Sequence, residues 1–194
     1  MANKYLSLEQ GLKFPWQKPS RLWYALWLLV PIFGWFALAG YWRKIIKNLV
    51  KGKNKELPEF GKFWDNFKQG FIIFLKMIPI FIVFMIISGL LEFIPIIGWL
   101  AQLAVSILFY PYLIINLVAT DDIAASFEFK KVWKVVVEDN LKDYLIVMLK
   151  SFVYGLLYGL LSIVLVGIPC SLFGRQYFLC DFYAKTSKTN KKKR

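Results

Sequence analysis

The chain of 194 residues contains no histidine and only two cysteines. Without histidine it lacks the commonest metal ligand and the side chain that most often exchanges a proton near neutral pH. Cys170 and Cys180 stand ten positions apart. That spacing fits neither a metal-ligand pair nor a disulfide framework, so both read as unpaired thiols. Acidic residues are scarce, 12 Asp and Glu against 25 Lys and Arg, which leaves a net charge of +13. No carboxylate pair, Ser/Lys dyad, phosphate-cradling glycine loop or metal cluster is visible. The sequence thus names no cofactor and no metal, and the expectation is a protein that is not an enzyme.

Charge is also missing over long stretches. Leu22–Trp42, Phe93–Thr120 and Ser151–Gly174 hold no Asp, Glu, Lys or Arg, and Met77–Leu91 is a further such run between Lys76 and Glu92. About 20 apolar residues cross a hydrocarbon core of roughly 30 Å. The composition is 58% hydrophobic, above that of ordinary soluble domains. These features predict an integral, all-α membrane protein with a single domain over residues 1–184. A basic, disordered tail is expected over 185–194. Glu9, Lys13 and Pro15 interrupt the N-terminus and no small-residue cleavage pattern precedes Leu22, so no cleaved leader is expected and the first apolar run reads as a retained anchor.

Two phrases inside these runs are nearly the same: VPIFGWFA at Val30–Ala37 and IPIIGWLA at Ile94–Ala101. Each is either a kink in a spanning helix or the tip of a hairpin. Proline removes a backbone donor and glycine relieves steric cost, as turns require. Short basic loops stay on the cytoplasmic side, and the first run has lysines and arginines on both flanks. A hairpin keeps both flanks in one compartment; a single crossing does not. The expected tips are Pro31 with Gly34, Pro95 with Gly98, and Gly167 with Pro169 in the looser third case. The result is three helical hairpins with N- and C-termini inside. The limbs of the first, Arg21–Val30 and Phe33–Trp42, are each ~15 Å long at 1.5 Å per residue. That is half a bilayer core, so the first hairpin reads as re-entrant. Limbs Phe71–Glu92 and Trp99–Ala119 are each ~32 Å, a full span. In the third, Tyr144–Val166 can span, and Pro169–Lys185 is shorter.

Three amphipathic segments read as interfacial helices. One carries Ile45, Ile46, Leu49 and Val50 opposite Lys44, Lys47 and Lys51. The second, from Leu57 to Phe71, places Pro58 in a first helical turn and then aligns Phe60, Phe63, Trp64 and Phe67; such a stripe suits a membrane surface and the protein's own core equally. The third is Phe129–Glu138, followed by Asn140 and Asp143 as a cap for the next helix.

The order of these motifs carries a resemblance. The IP-x-x-GW turn at Ile94–Trp99, LPEF-x-x-x-W at Leu57–Trp64, SFEF at Ser126–Phe129 and N-x-x-DY at Asn140–Tyr144 resemble the uncharacterised prokaryotic membrane proteins grouped as domain of unknown function 4013. The resemblance covers roughly Leu8–Ala184. It implies a bacterial or archaeal membrane protein in the cytoplasmic membrane and brings no substrate or catalytic residue with it.

Polar groups within apolar runs are the candidates for function. Lys76 and Lys150 sit within two turns of a run's end and can snorkel to the surface. Gln102 and Asn116 suit hydrogen bonds to neighbouring helices. Glu92 belongs to a solvated tip. Gly155 and Gly159, in GLLYG, read either as a seam between membrane subunits or, preferably, as close packing within the subunit. Arg175 lies in a short limb and suits a lipid phosphate, as do Lys191, Lys192, Lys193 and Arg194 in the tail. With so much basic charge beside apolar runs, the expected partners are a bilayer, anionic lipid on its cytoplasmic side, and a further copy or membrane subunit, rather than nucleic acid. The expected role is organising or shaping that leaflet, with a small transporter, channel or lipid-handling protein as the alternative.

Overall fold

The computed structural model describes residues 5–53, 56–94 and 96–192. Among them the elements are helical, with no strand. A short helix α1 (Leu8–Lys13) is followed by a 3-10 segment at Pro19–Leu29, then α2 (Phe33–Val50), α3 (Phe63–Glu92), α4 (Ile97–Leu108) and α5 (Tyr110–Thr120). Next come a single turn, α6 (Phe129–Val132), running into a π-helical stretch Trp133–Glu138, then α7 (Leu141–Leu161), α8 (Gly167–Gly174) and α9 (Tyr177–Lys192). Phe63–Glu92, the pair α4–α5 and α7 are long and apolar enough to cross a membrane.

All three turn-backs form where proline and glycine interrupt an apolar run. At the first, Ile32 adopts φ 63° and ψ −67°, and the Phe33 N–H donates to the Pro31 carbonyl at 2.7 Å. This closes a γ-turn of the rare, strained hand. Ile96 repeats the conformation at the second tip, with φ 62° and ψ −59°, although Pro95 itself lies outside the described residues. At the third, Leu165 has φ 62°. In each case a glycine follows two residues later, at Gly34, Gly98 and Gly167. A Cβ there would run into the carbonyl oxygen of Trp27, Leu91 or Tyr158 respectively. The glycine is needed because the returning helix starts against the backbone of the limb it has just left. Positive φ costs a β-branched residue about 1–3 kcal/mol. Ile32→Gly is therefore expected to raise stability by about 1 kcal/mol, strain relief outweighing glycine's extra unfolded-state entropy. Thermal unfolding in detergent reads the effect.

The first hairpin differs from expectation in its limbs. Its incoming limb is 3-10 helix, and its outgoing limb does not stop at Trp42 but continues as α2 to Val50. The segment expected at the interface is thus the end of α2, with Ile45, Ile46 and Leu49 buried in the core. α2 then packs against α3 with backbone nearly touching backbone: a Cβ on Gly40 would collide with the Asn66 carbonyl, and one on Gly70 with that of Phe36. Small residues permit such close approach of helices.

Pro58 does not open a helix. Gly61 takes φ 76°, a conformation that breaks helical continuation, so α3 begins at Phe63 and runs unbroken to Glu92. The stretch before it is a strap, fixed by the Tyr41 hydroxyl donating to the Pro58 carbonyl at 2.7 Å and by Asn66 Nδ2 donating to the Phe60 carbonyl at 2.7 Å. The aromatic stripe splits accordingly. Phe60 is buried, Phe63 and Phe67 pack against the core, and Trp64 projects outward.

Pro111 divides α4 from α5. Having no N–H, it leaves the Ile107 carbonyl, four residues back, without its helical donor. The Tyr144 hydroxyl takes that place at 2.9 Å. Tyr144→Phe keeps the ring but orphans the carbonyl, and is expected to cost about 1–2 kcal/mol. In a Pro111→Ala background the substituted residue's own N–H supplies the donor, and the same change is expected to cost much less; a double-mutant cycle on unfolding free energy measures the difference.

Other tyrosines stitch the core in the same way. Tyr154 donates to the Cys170 carbonyl at 2.7 Å and Tyr158 to that of Leu12 at 2.7 Å. Asn140 stands at the start of α7 but does not cap it. Its side chain turns back to the Val135 carbonyl at 2.9 Å, an acceptor in the π-helical stretch. The tail departs from expectation too. α9 continues helical to Lys192, Thr186 is buried, and Lys185 pairs with Asp181 at 2.7 Å. A disordered segment starting at residue 185 is therefore corrected to helix as far as Lys192.

Candidate functional site: three cations around one carboxylate

Arg43 and Lys47 are four residues apart on α2 and share a face. Asp121 follows the last residue of α5 in the left-handed conformation, φ 61°, with its N–H donating to the Leu117 carbonyl. Aspartate tolerates that conformation better than most residues. The helix stop thereby delivers a carboxylate to α2. Arg43 Nη2 donates to Asp121 Oδ1 at 2.6 Å and Oδ2 at 2.7 Å, while Nη1 donates to Gln69 Oε1 at 2.5 Å. Lys47 Nζ donates to Asp121 Oδ2. From α3, Lys76 Nζ donates to the Asp121 main-chain carbonyl at 2.6 Å and lies 3.8 Å from Oδ1. Cations suit the negative end of α5. The cluster ties α2, α3 and α5 together.

Burial alone raises the pKa of Asp121, but the hydrogen bonds and charges of Arg43 and Lys47 outweigh it and hold the value at about 2. Since this lies below the unfolded value of 3.8, the contribution to stability is complete above about pH 4. It is lost as pH falls toward 2. No change in stability from this group is expected between pH 5 and pH 8, and a loss is expected below pH 4, as read by unfolding midpoints across that range.

A second polar cluster lies deeper. Asn116 is fully buried. It accepts from the Tyr183 hydroxyl at 2.6 Å and donates to the Ala125 carbonyl at 2.8 Å and to Glu128 Oε2 at 2.7 Å. Gln102 donates to Ser88 across α4 and α3 at 3.2 Å. Both residues serve helix contacts.

The sequence-derived candidates are scattered in space. Gly34, Gly98 and Gly167 sit at three separate tips, with Pro31 in the first turn-back and Pro169 in the opening turn of α8. Arg175 lies exposed at the break between α8 and α9. Asp181, which it does not reach, instead accepts from the Leu6 N–H at 3.1 Å and from Lys185. Lys191 and Lys192 end α9, and Lys193 and Arg194 lie outside the described residues. Lys150, half-buried, donates to the Leu6 carbonyl at 2.8 Å. Gly155 and Gly159 face open space with nothing within 4 Å of a built Cβ, so they do not form a packing seam within the subunit. Sequence reasoning passed over Asp121. The available signal was an aspartate directly after a charge-free run and a basic pair at helical spacing on α2.

A cavity of about 150 Å³ opens between Leu6, Leu49, Tyr177, Asp181 and Ala184. Among the described residues, no group of three His, Cys, Asp or Glu side chains is placed to hold a metal ion. Outside, large apolar side chains are exposed along α3, α4 and α7 and at every tip; Phe93 and Ile163 exceed four-fifths exposure. Such continuous apolar surface is what a membrane segment presents.

Fold and surface define an all-α membrane protein whose chain doubles back at glycine-bearing tips. The chain belongs to the family described as protein of unknown function DUF4013, whose model matches residues 24–167. That match is narrower at both ends than the span suggested by the sequence motifs. No curated protein and no solved structure matches it.

Proposed function

We propose that the protein is a non-enzymatic organiser of one membrane leaflet, acting alone or as the membrane subunit of a larger assembly. Its place is the cytoplasmic membrane of a prokaryote, with both termini inside. The observation that supports this most is the shallow reach of the first hairpin. Near its tip, Phe33 stacks on Phe67, and Phe36 meets Phe67, Phe71 and Phe74. α3 then continues from Phe74 to Glu92, ~27 Å further at 1.5 Å per residue. The tip is apolar and exposed at Trp23, Leu29, Ile32, Phe33 and Trp35. A re-entrant wedge of this kind adds volume to one leaflet while α3–α5 cross both. Exposed Lys51 and Lys53 follow the end of α2 that lies away from the tip, where anionic headgroups would meet them.

The test is reconstitution into vesicles containing anionic lipid at rising protein density. Smaller or tubular vesicles are expected, and Trp23, Leu29 and Trp35 changed together to Ser should abolish the effect. Vesicles of unaltered size and shape at every density would refute the reading. A small transporter or lipid-handling protein is the second reading, favoured by the break that Pro111 makes inside a spanning segment. Solute flux in proteoliposomes that is lost in Asn116→Ala would select it.

A further inference from the structure

The Asp121 cluster holds more positive charge than it neutralises. Arg43, Lys47 and Lys76 face one carboxylate, a formal excess of two positive charges. Their side chains are 14%, 27% and 26% exposed, so water screens them only in part. Each ammonium carries three donors. Lys47 is bonded to the Asp121 carboxylate and Lys76 to the Asp121 carbonyl, so donors outnumber the acceptors. The cluster also sits where apolar segments begin and end: Lys76 is followed by the charge-free run of α3, and Asp121 follows that of α5. Exposed Phe74, Leu75 and Ile78 flank Lys76 on α3. A partly desolvated excess of cations beside apolar surface calls for an anion. Lysine as a point charge and arginine as a planar donor both suit phosphate.

We propose that Lys47, Lys76 and Arg43 form a binding site for a phosphate group, with Asp121 as an internal anion competing for the same donors. The proposal rests on reading the Lys47 end of α2, away from the hairpin tip, as the one that meets headgroups. It does not require the protein to bend a membrane. The phosphate comes from an anionic phospholipid or from solution, and both supply the same oxygens.

The full chain in flat nanodiscs of phosphatidylcholine with a minor fraction of phosphatidylglycerol separates the site from curvature. Retention of phosphatidylglycerol by native mass spectrometry is the readout. Lys47→Gln and Lys76→Gln are each expected to weaken retention about tenfold, the worth of one charge-assisted hydrogen bond. Lys47→Arg and Lys76→Arg should restore most of it. Lys62→Gln and Lys68→Gln, exposed at the start of α3 and outside the cluster, are expected to change it less than about twofold. Asp121→Asn is the discriminating variant: it frees donors and should strengthen retention, whereas a purely structural ion-pair cluster gives no gain. Inorganic phosphate forms the second arm. Competition at millimolar concentration that is lost in Lys76→Gln supports the phosphate site with a soluble source, and competition absent with lipid retention intact supports the lipid source. Equal losses across all four lysine-to-glutamine variants, or no gain in Asp121→Asn, would overturn the site while leaving the vesicle-shape experiment untouched.

Discussion

Gly70→Ala is expected to separate α2 from α3 and to cost about 3 kcal/mol of unfolding free energy, at the upper end for overpacking. The reason is what the new methyl meets. At Gly70 it is the Phe36 carbonyl, with the Gly40 nitrogen close behind. Backbone inside two regular helices cannot swing aside as a side-chain end can, so the helices must move apart. They carry Phe36 among Phe67, Phe71 and Phe74 with them. Gly40→Ala strikes the same seam from the other helix, at the Asn66 carbonyl, and should cost a similar amount. Because the two changes break one contact, their combination should cost less than the sum. Gly155→Ala and Gly159→Ala provide the comparison. Both positions face open space, so each should be neutral or gain up to about 1 kcal/mol from helix propensity. Denaturant titration in mixed micelles reads all four, and Gly70→Ala tolerated as well as Gly155→Ala would contradict the packing described.

The second large effect is expected at Asp121. Asp121→Ala removes the acceptor shared by Arg43 and Lys47 and leaves three cations facing one another. Breaking a fully buried pair costs about 3–5 kcal/mol. The Asp121 side chain is 33% exposed, so water recovers part of that and about 2 kcal/mol is expected. Glu92→Ala, at an exposed tip, should stay within about 0.5 kcal/mol. The loss at Asp121 should be smaller in acidic lipid than in zwitterionic detergent, where no outside anion replaces the carboxylate. A loss of the same size in both media would argue against any external anion at the cluster.

The positions of the turn-backs were readable from the chain because proline and glycine are costly in an apolar run unless the backbone reverses there. What was not readable is why each glycine is a glycine, since the carbonyl it approaches belongs to the opposite limb. Small-residue spacing did not identify the packing within the subunit, for a related reason. GLLYG has the spacing of a packing seam but faces outward, and the contact that needs glycine is made by Gly40 and Gly70, on two different helices. Pro58 is compatible with a helix start and with a strap; Gly61, three residues on, decides for the strap. Asp121 and Tyr144 escaped notice because their partners lie on other helices: Arg43, Lys47 and Lys76 for one, a carbonyl freed by Pro111 for the other. Pro111 announces the orphaned acceptor, but nothing in the local sequence says which hydroxyl will reach it.

The central claim is that the chain turns back at its tips and so keeps its basic segments in one compartment. Single cysteines at Lys53, Ile97 and Lys191, labelled with a membrane-impermeant maleimide in oriented vesicles, test it most directly; Cys170 and Cys180 are buried and contribute little background. Lys53→Cys and Lys191→Cys are predicted to react from the same side, and Ile97→Cys not from that side. Labelling of Lys53→Cys and Lys191→Cys from opposite sides would contradict the hairpin topology and the one-leaflet function built on it.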